Sequence, residues 1–165
     1  MDCFCSFKFG LYRLYPIYII HTMYSQLFVR LAVSTAFLSA VADRLGLWGI
    51  PGASHVSWGN WANFVAYSNT LNFFVPETFG NILAIGATLL EVVLAILLLI
   101  GYKLRFTAFV AGILLICFGL VMTLSLGIKS TFDYSVWVGA AACFLLRTAD
   151  NFPISIDRYI ELRKK

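Results

Sequence analysis

Charge is the first thing this sequence lacks. Of 165 residues, 12% are Asp, Glu, Lys or Arg, about half the share of an ordinary soluble domain. That excludes a disordered chain, and it excludes a nucleic-acid binder with a broad basic face. Histidine is scarce, with only His21 and His55, and neither lies within a stretch that reads as a membrane span. A haem held between helices needs axial ligands facing each other, and a zinc site needs three or four grouped ligands. Neither set is available, so no metal site is expected. The four cysteines, Cys3, Cys5, Cys117 and Cys143, form no C-x-x-C pair. Cys117 and Cys143 lie at depths about 13 Å apart on the helical rise, too far for a disulfide, and read as packing residues. A glycine-rich phosphate loop and a G-x-S-x-G elbow are also missing.

What fills the space is apolar. The chain is 61% hydrophobic and 16% aromatic, and its mean hydropathy is +0.85. Four stretches read as membrane spans, at 26–44, 79–100, 104–126 and 131–146. About 20 apolar residues cross the hydrocarbon core, so the second and third suffice alone, whereas the first and the short fourth need neighbours to cover polar positions. None of the four alternates as a barrel strand does, which leaves helices. The fold expected is an all-α membrane protein, a four-transmembrane-helix bundle. Span three carries Ala108, Ala111, Gly112 and Gly119, and span four carries Gly139 to Ala142, which mark seams where helices approach closely.

Basic residues orient the bundle. With four spans, Lys8, Arg13, Lys103, Arg105, Arg147, Arg158, Arg163, Lys164 and Lys165 fall on one side, and Arg44 and Lys129 on the other. The positive-inside rule puts both termini in the cytoplasm. The segment 46–78 then lies outside. It has no Lys or Arg, and it is crowded with Trp48, Trp58, Trp61, Phe64 and Phe74. Trp61, Phe64, Val65 and Leu71 recur at helical spacing, so an amphipathic aromatic-rich helix is expected there, either as an interfacial anchor or as a lid over a lipophilic pocket. Residues 1–22 hold a short apolar run broken by Pro16 and read as an extension before Met23, from a misassigned start. The organisation expected is an extension at 1–22, the membrane domain at 23–147 and a basic cytoplasmic tail at 148–165.

The intramembrane charges carry the chemistry. Glu91 lies mid-span and Arg30 about a turn inside the first span. A charge at the bilayer centre costs about 2.5–3.5 kcal/mol on insertion scales, so such residues turn inward and pair. Matched depth selects Arg30 as the main partner of Glu91, with Arg105 second. The set reads either as glue that fixes helix register or as a protonatable, quinone-contacting site. At the outer end, Arg44 and Asp133 form a second expected pair, near headgroups and worth little.

In combination these residues resemble the DoxX family of small four-helix membrane proteins. The resemblance runs from Met23 to Leu146. It is carried by Arg30 in RLAVSTAFL, Glu91 in the second span, Gly101 and Arg105 in LLLIGYKLR, and the stretches SWGNWANFVAYSNTLNFFVPE and GIKSTFDYSVWVGAAACFLL. Many members close the first span with Gly and Lys, where this chain has Ala42, Asp43 and Arg44. The family takes its name from the small subunit of a thiosulfate:quinone oxidoreductase. The resemblance implies a multi-pass protein of a bacterial inner membrane, an accessory or quinone-interacting subunit of a redox system. A quinone is the candidate cofactor, with none bound covalently. The lipid bilayer, a redox partner subunit and a second copy of the chain are the candidate partners. The rival reading is a structural or lipid-interacting bundle without catalysis. A carrier is disfavoured, because no inverted repeat is visible.

Overall fold

The computed structural model describes residues 3–149, 152 and 154–164, with side chains described from Met23 onward. Every regular element among them is a helix: α1 Cys3–Arg44, α2 Trp61–Leu71, α3 Glu77–Ile100, α4 Leu104–Leu126, α5 Ile128–Asp133, α6 Val136–Arg147 and α7 Ile156–Arg163. Three segments are long and apolar enough to cross a membrane: Met23–Arg44 within α1, α3 and α4. Their outward faces carry Phe28, Leu89, Val93, Ile96 and Leu124, all exposed. That pattern suits lipid, where an apolar surface needs no covering.

Local chemistry sets the boundaries. Asn60 caps α2 by accepting the Asn63 N–H at 2.8 Å. Pro76 precedes α3, and Gly101 ends it in the left-handed region at φ 73°. Only Gly101 and Tyr102 separate that helix from Lys103, the residue before α4, so α3 and α4 form an antiparallel hairpin. Ser155 caps α7 by accepting the Arg158 N–H at 3.1 Å.

One expectation changes. The span expected at 131–146 is not continuous. Ser135 takes a left-handed conformation at φ 53° and divides it into α5 and α6. The Trp137 indole N–H bridges the break to the Thr131 hydroxyl at 2.9 Å. With 12 residues, α6 measures about 18 Å, short of the hydrocarbon thickness. In addition, α1 continues back through Pro16 to Cys3, so no helix break separates residue 22 from Met23. The side chains of residues 1–22, including Cys3, Cys5 and His21, lie outside the described residues, as does Lys165.

One core joins α1, α3, α4 and α6 through Val33, Phe37, Leu94, Leu98, Ala108, Ala111, Cys143 and Leu146. The expected small-residue seams fall mainly between α4 and α6. A Cβ on Gly112 would come within 3.0 Å of the Phe144 ring, and one on Gly119 within 3.0 Å of Trp137. Cys143 is fully buried in this core, while Cys117 is exposed on α4, so only the first acts as a packing residue; both are free thiols. The helices leave the molecule with two ends. Arg44, α2 and α5 lie at one. The α3–α4 turn and α7 lie at the other.

Candidate functional site

The register of α1 against α3 comes from two contacts. The Ser34 hydroxyl donates to the Ala95 carbonyl at 3.1 Å, and Arg30 Nε donates to the Leu98 carbonyl at 2.8 Å. In this antiparallel pair Glu91 lies about seven residues along α3 from the level of Arg30. It lies a similar distance, about 9–10 Å on the helical rise, from the level of Arg44. Depth therefore does not choose between the two arginines. Direction does. Every Cα–Cβ bond leans toward the N-terminus of its own helix. Arg44 leans back into the bundle, and Glu91 leans toward the start of α3, so the two converge. Arg30 leans the other way.

Arg44 accordingly pairs with Glu91. Its Nη1 contacts Glu91 Oε2, and its Nη2 donates to Glu91 Oε1 at 3.1 Å, a bidentate arrangement. Arg44 Nη1 also donates to the Thr88 hydroxyl at 2.7 Å, which itself donates to the Ala84 carbonyl at 2.8 Å. Both charged residues are buried, Arg44 at 5% exposure and Glu91 at 2%. Aromatic rings roof the pair. The guanidinium carbon lies 4.1 Å from the Phe64 ring centroid and 5.5 Å from that of Trp58. Arg44 Nε is buried without a hydrogen bond, so the ring faces supply what a partner atom does not.

The neighbouring residue holds the roof in place. Asp43 is buried and accepts three backbone N–H groups, those of Ser57 at 2.8 Å, Trp58 at 3.3 Å and Gly59 at 3.1 Å. The turn needs Gly59, at φ 68°, where a Cβ would come within 2.6 Å of the Pro51 nitrogen. Trp58 then packs edge-to-face on Phe64 at 5.2 Å, and Trp61 tilts against Phe64 at 5.4 Å. One side of Asp43-Arg44 thus fastens the loop, and the other neutralises the buried acid.

The expected Arg30–Glu91–Arg105 cluster does not form. Arg30 is buried, but among the described residues its guanidinium donates to carbonyls: Leu98, Leu99 at 2.8 Å and Ile154. These include the last carbonyls of α3, which have no partner within the helix and carry its negative dipole end. Arg105 is exposed at the start of α4 and donates to the Ala149 carbonyl at 3.4 Å. The expected Arg44–Asp133 pair does not form either. Asp133 bonds Lys129 at 2.6 Å, four residues back on α5, and both are exposed. An adjacent lysine on its own helix reaches Asp133 without the desolvation that a buried partner requires.

The aromatic residues divide. Trp58, Trp61 and Phe64 form the roof. Trp48 is exposed and donates its indole N–H to the Ser39 carbonyl at 3.0 Å, and Phe74 is exposed beside Phe73. Sequence reasoning left Asp43 and Thr88 without a role. A signal for Asp43 was present, since an acid beside an arginine at a span end precedes a loop with no Lys or Arg of its own.

A groove of about 890 Å³ opens beside the roof, between α2 and α3. Trp61, Val65, Phe73 and Ile85 give it apolar walls, and Asn69, Thr70, Asn81 and the acid Glu77 give it polar ones. The Asn69 amide donates to Asn81 across the groove at 2.9 Å. Gly80 faces Asn69, whose Oδ1 would lie 2.1 Å from a Cβ there, so the seam closes only over glycine. Among the described residues, no three of His, Cys, Asp or Glu are grouped as metal ligands would be. No family model, curated protein or solved structure matches the chain.

Proposed function

We propose that this chain is a four-helix protein of a bacterial-type inner membrane, similar to DoxX proteins, and an accessory, quinone-interacting subunit of a membrane redox system. The observation that carries the reading is the groove between α2 and α3. Its size suits a small lipophilic ligand, and its lining pairs aromatic walls with a few polar groups. A quinone ring presents two carbonyl acceptors and an apolar tail. The Asn81 amide bears a donor for the first, and Trp61, Phe73 and Ile85 suit the ring and tail. Asn81 lies one turn into α3, near the end of an apolar helix, where a quinone head meets the interface. In this reading the Arg44–Glu91 pair acts through α3, fixing the wall against the roof helix, and does not touch the ligand.

Quenching of tryptophan fluorescence by a short-chain benzoquinone, in the purified chain, tests this. Saturable quenching that disappears in Trp61→Phe and weakens about tenfold in Asn81→Leu is the expected result, the size of one lost polar contact in a ligand site. Quenching that persists in Trp61→Phe puts the quinone elsewhere and overturns the reading.

The second reading, a bundle without catalysis, draws on a different observation. Both buried arginines are engaged inside the chain, Arg30 by three carbonyls and Arg44 by Glu91 and Thr88. The same purified chain, showing no saturable quinone binding, would favour it.

Orientation follows the basic residues, with both termini cytoplasmic and the α2 end outside. A cysteine placed at Ser54 is expected to react with an impermeant thiol reagent from outside, and one at Lys164 is not. The reverse pattern inverts the topology.

A further inference from the structure

The groove between α2 and α3 has a charged end and an apolar end. The two helices run side by side in opposite directions. Asn69 bonds Asn81 near the start of α3, and Phe64, farther back on α2, lies over Arg44, which bonds Thr88 farther along α3. Positions four apart share a face, and Val65, Asn69 and Phe73 line the groove from one side, Glu77, Asn81 and Ile85 from the other. Glu77 is the first residue of α3, a helix long enough to cross a membrane, so it lies at the membrane surface. Ile85 lies about two turns deeper, roughly 12 Å along the axis.

The charge in the groove has one sign. Segment 46–78 contains no Lys or Arg, and among the described residues no basic side chain lines the groove. Glu77 is the acid that the fold leaves over. Asp43 collects three N–H groups and Asp157 two, Glu91 pairs with Arg44, Asp133 with Lys129 and Glu161 with Arg158. Among the described residues Glu77 has neither a hydrogen bond nor an ion pair. The Thr70 hydroxyl donates its proton to the Tyr67 carbonyl at 2.7 Å, so it offers the groove only acceptor capacity. Phe73, four residues before the acid in the turn between the helices, presents a ring that is 66% exposed.

We propose that this groove binds a lipophilic monocation, with an ammonium head at Glu77 and Phe73 and an apolar chain lying along Val65 and Ile85. A cation over an aromatic face and beside a carboxylate gains from both contacts, and more so where water is scarce. The groove's gradient matches such a molecule in a bilayer, with charge at the surface and chain in the hydrocarbon. A neutral head leaves the acid without a partner, and an anionic head is repelled by it. The phosphate of a phospholipid meets the same repulsion, which makes the lipid's own ammonium a poor competitor. The inference goes beyond the quinone reading and does not rest on it, because Glu77 carries the one and the Asn81 donor the other.

The test is isothermal titration calorimetry of the purified full chain in a non-ionic detergent, with octyltrimethylammonium as the probe and octyl sulfate as its anionic counterpart. Saturable binding of the cation and none of the sulfate is the expected result. No saturable binding of the cation, or equal binding of both, overturns the proposal. Glu77→Gln keeps the shape and removes the charge, and is expected to weaken the cation about fivefold, the size of one exposed ion pair. Phe73→Leu is expected to weaken it about threefold. Unchanged affinity in Glu77→Gln, with helicity the same, puts the cation elsewhere and overturns the proposal. Excess phosphatidylcholine separates the two sources of an ammonium head. If it leaves the cation bound, the assignment stands. If it displaces the cation, the site is for a lipid headgroup and the assignment falls. Benzoquinone quenching on the same sample keeps the two readings apart. Quenching without cation binding overturns this proposal alone, and cation binding without quenching overturns the quinone reading alone.

Discussion

At the Arg44 end a guanidinium meets a carboxylate; at the Arg30 end the same group, among the described residues, donates to carbonyl oxygens. Both arginines lie on α1, both are buried, and both reach α3. Each end also has an aspartate that collects backbone N–H groups, Asp43 from the loop at 57–59 and Asp157 from the start of α4. The difference lies in what α3 presents at each level. Its interior carbonyls are already engaged in the helix and accept at most a further hydroxyl, as Ala84 and Ala95 do, so a cation there is met by the side chain of Glu91. Its C-terminal turn has carbonyls with no helical partner, and these, with the Ile154 carbonyl, accept from Arg30. A buried arginine in a bundle therefore does not imply a buried acid beside it. The position along the facing helix decides.

The comparison is most exposed to removal of Glu91. Glu91→Leu strands Arg44 beneath Trp58 and Phe64, and thermal unfolding in detergent is expected to show a loss of about 3–5 kcal/mol. Arg30→Leu leaves carbonyls without donors but no uncompensated charge, and about 1.5–3 kcal/mol is expected. An Arg30 effect equal to or larger than the Glu91 effect breaks the distinction between the two ends. Arg44→Leu combined with Glu91→Leu sharpens it. The double variant is expected to be more stable than either single one, because apolar packing replaces a pair that barely repays its desolvation. The smallest effect is reserved for Lys129–Asp133. Both partners are exposed, and Asp133→Asn is expected to shift stability by less than about 0.5 kcal/mol, a shift that salt screens further. A loss near that of Glu91→Leu would show that Asp133 has a buried role.

Much of the helical framework was legible in the residues. The expected third span coincides with α4, and the second begins within two residues of α3 and ends with it. The helix in the aromatic segment was visible from the spacing of Trp61, Phe64, Val65 and Leu71. The break between α5 and α6 was not, because Tyr134 and Ser135 carry no glycine or proline to mark a left-handed residue. Within the site, burial of Glu91 and Arg30 followed from the cost of charge in hydrocarbon, whereas pairing by depth matched the wrong arginine. Depth counts Cα positions along an axis, and the Arg44 and Glu91 side chains together cross about 9 Å of that axis. Asp133 was drawn to Arg44 by proximity to the same membrane face, although a lysine four residues back was the nearer partner on its own helix.

The sequence by itself determined the membrane class, the α3 and α4 spans and the presence of buried charge. These are local and additive properties, since each residue adds its transfer free energy and each turn its periodicity. The tertiary structure alone decided that Arg44 and not Arg30 neutralises Glu91, that Asp43 holds the aromatic roof, and that Asp157 fastens α7 to the start of α4. Those outcomes depend on the antiparallel register of α1 on α3, on the lean of side chains along opposed helices, and on which carbonyls a helix end leaves open. Such properties exist only once two segments far apart in the chain face each other.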